Sequence, residues 1–136
     1  MLKSFTVSTR RRRTVLMALS MAVLAGCASV SPKPPEEAVR ERANARWRAM
    51  GEADYDLAYT FTTPGYRSVV PVKTYRARLA KGSWFGGEVV GVKCPEPDKC
   101  IARVRIDYNH LGNKISTHVD ETWLFDAGDW WIVQNL

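Results

Sequence analysis

At 136 residues the chain has room for one modest domain, and its formal charge of +6 at first points to an anionic partner. The charge is not spread evenly, however: Lys3, Arg10, Arg11, Arg12 and Arg13 stand in the N-terminal segment, and beyond residue 26 there are 15 basic residues against 14 acidic ones. A near-neutral domain lacks the concentrated basic surface of a nucleic-acid binder, so nucleic acid is excluded as a partner.

The first segment has the three parts of an export signal: a basic stretch ending at Arg13, an apolar run from Val15 to Ala25, and small residues at its end. The apolar run is shorter than the about 20 residues that a permanent membrane helix needs. Its close, Leu24-Ala25-Gly26-Cys27, resembles the lipobox of bacterial lipoproteins. That resemblance implies cleavage before Cys27, acylation of its thiol, and a membrane held through the acyl chains. Ala28 in place of an aspartate implies, by the same resemblance, an outer-membrane destination facing the periplasm. Arg12-Arg13 also has the look of a weak twin-arginine signal, so the export route stays open. Residues 1–26 are thus read as signal peptide and 27–35 as acylated cysteine plus spacer. Pro32, Pro34 and Pro35 keep that spacer extended, and a folded domain is expected over 36–136.

Within the domain, Val39, Ala43, Trp47 and Met50 recur at helical spacing between charged residues, which predicts an amphipathic helix from Glu36 to Met50 stopped by Gly51. A second helix is expected over Asp54–Phe61, closed by Thr63-Pro64-Gly65. A third starts near Pro71, carries Tyr75 and Leu79 on one face and ends at Gly82. The pattern then becomes β. Strands are expected at Val89–Lys93, Cys100–Tyr108, Ser116–Phe125 and Trp130–Leu136, with turns at Pro95–Lys99, Gly112-Asn113 and Ala127-Gly128. Three helices followed by four antiparallel strands make an α+β domain. Cys94 and Cys100 flank the first turn, and export to an oxidising compartment makes a disulfide their expected fate.

With Gly112-Asn113 as a two-residue loop, Arg105 faces Asp120 and Asp107 faces His118, so one sheet face is ionic. The other carries Val104, Ile106, Tyr108, Trp123, Phe125, Trp130 and Ile132, with Glu121 and Gln134 side by side among them. A carboxylate on an apolar face is either a general base made basic by desolvation or a structural partner for a helix arginine, and the second reading is preferred. His110 and His118 are read as exposed. Trp131 and Leu124 point to the ionic side, where together they make an apolar patch for an envelope protein partner or a homodimer. The glycines of Trp84-Phe85-Gly86-Gly87 suit a pocket lip. No phosphate-binding glycine motif, metal-ligand cluster or nucleophile elbow occurs, so neither cofactor nor metal is expected.

From Glu36 onward, Arg46-Trp47, Asp54 through Phe61, Thr63-Pro64-Gly65-Tyr66-Arg67, and Glu121-Thr122-Trp123 with Trp130-Trp131-Ile132-Val133 resemble the NTF2-like, or SnoaL-like, superfamily. The resemblance implies a curved sheet wrapped round helices as a cone, with a pocket at its open end that takes a small molecule or serves as a binding module. Pocket candidates are Trp47, Tyr55, Tyr59, Trp123, Phe125 and Gln134. The expected role is non-enzymatic, as a binding or accessory module of the envelope. The alternative is a small lyase or isomerase with Glu121 as base beside Tyr108, Tyr55 or Tyr59.

Overall fold

The computed structural model describes residues 32–80, 82 and 84–136. The expected signal peptide, the lipobox-like Leu24–Cys27 and most of the expected spacer lie outside the described residues. Helix α1 (Pro35–Gly51) begins with proline at its first position, where a missing N–H costs nothing, and places Glu36 and Glu37 in the first turn and Arg48 in the last, as the helix dipole favours. Its buried residues are Val39, Ala43, Arg46, Trp47, Ala49 and Met50, so the spacing in the sequence places the core face correctly and the structure adds Arg46 and Ala49 to it. Helix α2 (Tyr55–Thr60) is capped by Asp54, whose carboxylate accepts the Leu57 N–H at 3.0 Å.

Among the described residues four helices form, where the sequence reading expects three. The segment read as a closing loop at Thr63-Pro64-Gly65 is the start of α3 (Pro64–Val69), with Thr63 accepting the Tyr66 N–H at 3.1 Å. The physical reason is positional. Proline breaks a helix interior but suits its first turn, and a threonine just before it is a good cap. Helix α4 (Val72–Leu79) follows Pro71.

The helices pack on one antiparallel sheet of order β1-β2-β3-β4, formed by β1 (Trp84–Glu96), β2 (Lys99–His110), β3 (Asn113–Asp126) and β4 (Asp129–Ile132). The architecture is therefore α+β. The β3–β4 turn is Ala127-Gly128 as expected, with φ of 49° and 84°. The β2–β3 turn is Leu111-Gly112, with φ of 51° and 82°, one residue earlier than the sequence reading put it. Both loops hold positive φ at both central residues and place glycine second, and that common geometry explains the correction. Moving a turn by one residue moves every partner by two. Arg105 faces His118 rather than Asp120, Asp107 faces Ser116 rather than His118, and Asp120 faces Arg103. Because side chains alternate with period two, the faces themselves survive the shift.

The inward face of the sheet supplies Val89, Ala102, Val104, Ile106, Trp123, Trp130 and Ile132 to the core, against Val39, Ala43, Trp47, Ala58, Tyr66 and Tyr75 from the helices. Three of the five tryptophans are thus core residues. At the β1–β2 turn, Cys94 and Cys100 stand with Cα atoms 4.0 Å apart and their sulfurs at bonding distance. Oxidation of this pair closes a short loop and is expected to add about 2 kcal/mol through the unfolded chain. A Cys94→Ala/Cys100→Ala variant should lose that amount in urea unfolding. Mass analysis of the exported wild type without reductant should show the loss of two hydrogens.

Candidate functional site

Strand β3 turns Glu121 and Trp123 to the same inward face, and across from Glu121 the sheet places Ala102, a side chain small enough to leave room for helix residues. Helix α1 fills that room. Arg46 Nη1 donates to Glu121 Oε1 at 2.7 Å, Trp47 Nε1 donates to the same oxygen at 2.9 Å, and Trp123 Nε1 approaches Oε2 at 3.4 Å. Arg46 is 3% exposed and Glu121 9%, so the pair is out of water. Burial pushes the Glu121 carboxyl above its ordinary value, while the Arg46 guanidinium and the two indole N–H groups pull it the other way. Tyr75, from α4, completes the cluster. Its hydroxyl and Arg46 Nε are buried without a hydrogen-bond partner, and burial raises the hydroxyl's pKa.

This arrangement suits a clamp better than a base. Both carboxylate oxygens face N–H donors, and proton abstraction would need a substrate to displace Arg46 from a closed core. The tyrosines proposed beside Glu121 are not brought to it. Tyr59 donates its hydroxyl to the Val70 carbonyl at 2.6 Å. Tyr108 pairs with Trp84 and Ile115, six residues along β2 from Ala102, or about 20 Å. Tyr55 opens α2. The tyrosine that does reach Arg46 is Tyr75, which the sequence marks only as a helix-face residue.

The pocket candidates are dispersed. Trp47 floors an open cleft of about 600 Å³ at the C-terminal end of α1, walled by Asn44, Arg48, Glu52, Phe85, Gly87 and Glu88. The expected glycine lip is therefore one wall of this cleft. Trp123 is fully buried and lines nothing. Phe125 is half exposed near the β3–β4 turn, beside Pro32, Lys33 and Trp130, far along α1 from Trp47. Gln134 lies beyond β4, in a shallow recess lined also by Asp120, Glu121 and Thr122. These residues form no single pocket because α1 fills the space between them.

Leu124 and Trp131, the residues of the expected apolar patch, stand opposite each other on β3 and β4. Leu124 is 37% exposed. The Trp131 ring is flanked by the guanidinium groups of Arg42 and Arg67, at 5.3 and 4.9 Å, and its Nε1 donates to the Asp126 carbonyl at 2.9 Å. Arg42 also contacts Asp129 at 2.9 Å and the Phe61 ring at 5.1 Å. Trp131 is thus a cation–π platform at the sheet edge rather than bare apolar surface. His110 and His118 are exposed. Among the described residues there is no cluster of metal-ligating side chains, and no helix is long and apolar enough to cross a membrane.

No protein-family model matches the chain, and no curated protein sequence matches it. Among solved structures it is similar to a SEC-C motif-containing protein from Rhodopseudomonas palustris, with a TM-score of 0.56 and 17% identity over 68% of this chain and 73% of that one. It is also similar to a SEC-C motif-containing protein from Psychrobacter arcticus, with a TM-score of 0.60 and 13% identity over 76% of this chain and 63% of that one. At such identities the likeness shows a shared fold of helices on a four-stranded antiparallel sheet, and nothing about activity.

Proposed function

We propose that the chain is the precursor of a bacterial lipoprotein, cut before Cys27, acylated there and tethered on the periplasmic side of the outer membrane. Its domain, an NTF2-like cone in this reading, acts as a non-enzymatic binding or accessory module of the envelope. The sequence Leu24-Ala25-Gly26-Cys27 supports the anchor. The observation that carries the non-enzymatic reading is the closure of Glu121 by Arg46, Trp47 and Trp123, which among the described residues leaves no free carboxylate on the apolar face.

The placement of the cleft fits a tethered module. The chain enters the domain at Pro35, and the cleft lies at the other end of the 17-residue α1, about 25 Å away. An occupant meets Trp47 and Phe85 as apolar contacts and Arg48, Glu52 and Glu88 as charges of both signs, a lining suited to a mixed polar and apolar ligand or peptide.

Expression of the full chain in a Gram-negative host with labelled palmitate tests the anchor. Wild type should carry label and sediment with membranes, whereas Cys27→Ser should do neither. Wild type without label, or label persisting in Cys27→Ser, would overturn the reading.

A further inference from the structure

The two edges of the sheet are finished differently. The outer edge of β1 is interrupted by register shifts between Trp84 and Gly86, Val89 and Gly91, and Lys93 and Glu96. Helix α1 also covers part of it: Asn44 Oδ1 accepts the Val89 N–H at 3.0 Å, and Arg40 Nη1 donates to the Val89 carbonyl at 3.0 Å. Bulges and side-chain partners of this kind keep an edge from pairing with another chain.

The edge of β3 has no such protection. Strand β4 pairs with β3 only from Trp123 to Asp126, and the Val133 N–H reaches the Thr122 carbonyl at 2.9 Å. On the side away from β2 no strand pairs with β3 from Asn113 to Glu121 among the described residues, and Gln134 and Asn135 come beside it only at Asp120 and Glu121. This stretch has unbroken register with β2, contains no proline or glycine, and is exposed at every position from Asn113 to Val119 except Val119, which is half-buried. Since the Thr122 carbonyl points to the β4 side, backbone alternation points the N–H and C=O groups of Lys114, Ser116, His118 and Asp120 the same way.

We propose that this edge joins two copies of the chain, antiparallel about a two-fold axis at Thr117, so that two four-stranded sheets become one continuous sheet. Three observations select this occupant and this register. Thr117 is the midpoint of the open stretch, so the pairing uses its whole length. It sets Lys114 opposite Asp120, Ile115 opposite Val119 and Thr117 opposite its own copy: an opposite-charge pair, a β-branched apolar pair and a threonine pair, each favourable across strands. The outward backbone groups fall into register as well. Lys114 with Asp120 and Ser116 with His118 become the hydrogen-bonded pairs, giving on the order of eight new backbone hydrogen bonds across the axis. Within one copy Asp120 already faces Arg103 at 3.6 Å, and Lys114 lies 5.6 Å from the Phe85 ring. The partner's Lys114 would therefore join Arg103 at Asp120. This dimer does not depend on the anchor or on the cleft.

Two measurements on the full chain in detergent test it. In a non-hydrogen-bonded antiparallel pair the Cα atoms stand about 4.5 Å apart, within disulfide range. Thr117→Cys should therefore give a covalent dimer under mild oxidant, whereas Arg105→Cys on the neighbouring strand should not. By sedimentation, Lys114→Glu should weaken the dimer about tenfold, since it turns two attractive pairs into repulsive ones, and Lys114→Glu/Asp120→Lys should restore it. A Thr117→Cys protein that stays monomeric, or a wild-type dimer indifferent to Lys114→Glu, would overturn the proposal. Restoration by the double variant separates loss of pairing from loss of fold.

Discussion

Replacing Arg46 with methionine is expected to cost about 3–5 kcal/mol at neutral pH, because it strands the Glu121 carboxyl in the core without its counter-charge. For a domain of this size that lowers the melting temperature by more than about 10 °C. The pH dependence is the diagnostic part. Burial already pushes Glu121 upward, and the variant lacks the guanidinium that opposed it. A carboxyl whose folded value is raised contributes its stability in full below the unfolded value, about 4.3, and loses it as pH rises through the folded value. The deficit of Arg46→Met against wild type should therefore be small near pH 5 and largest near pH 8. Arg46→Met/Glu121→Gln should recover most of the loss and flatten the pH response, since the amide oxygen still accepts from Trp47, only the long 3.4 Å contact with Trp123 is given up, and no charge remains buried. Thermal unfolding of the three proteins across that pH range reads all of this. Equal deficits at both ends would mean that Glu121 is not the group stranded.

The same cluster shows how much of the site is legible in a linear sequence. Alternation along β3 puts Glu121 on the apolar face, and that placement survives the wrong turn because the error shifts register by two residues and preserves parity. Its partner is not legible to the same degree. Arg40, Arg42, Arg46 and Arg48 stand on one helix, and only packing decides that Arg46 turns to the sheet while Arg42 reaches Asp129 and Arg40 the edge of β1. Tyr75 is beyond the reach of spacing altogether, since it comes to Arg46 from α4, a separate helix that packs on α2. The cation–π platform at Trp131 has the same origin: Arg42, Arg67 and Trp131 come from α1, α3 and β4. Local signals fared better where they were position-specific. The exception is Thr63-Pro64, a helix start in its own right that the adjoining Gly65 makes look like a break.

Gly87 offers the second large effect, and its sign is informative. Alanine in place of glycine normally stabilises by about 0.4–1 kcal/mol where the backbone allows it, by restricting the unfolded chain. Gly65, at the exposed start of α3 with open space round it, should follow that rule. At Gly87 a Cβ would lie 2.5 Å from Trp47 Cδ2 and 2.6 Å from Cε3, a direct clash with a ring face. The ring cannot step aside cheaply: its Nε1 holds Glu121, and Trp84 packs edge-on at 6.4 Å. Gly87→Ala is therefore expected to destabilise by about 1–3 kcal/mol, the usual cost of overpacking, and Gly87→Val by more. It should also disturb the Trp47 fluorescence that Gly65→Ala leaves alone. A double-mutant cycle with Trp47→Leu isolates the cause. If the clash is with the indole, Gly87→Ala should lose most of its cost in the Trp47→Leu background, and an unchanged cost there would place the strain in the β1 backbone instead.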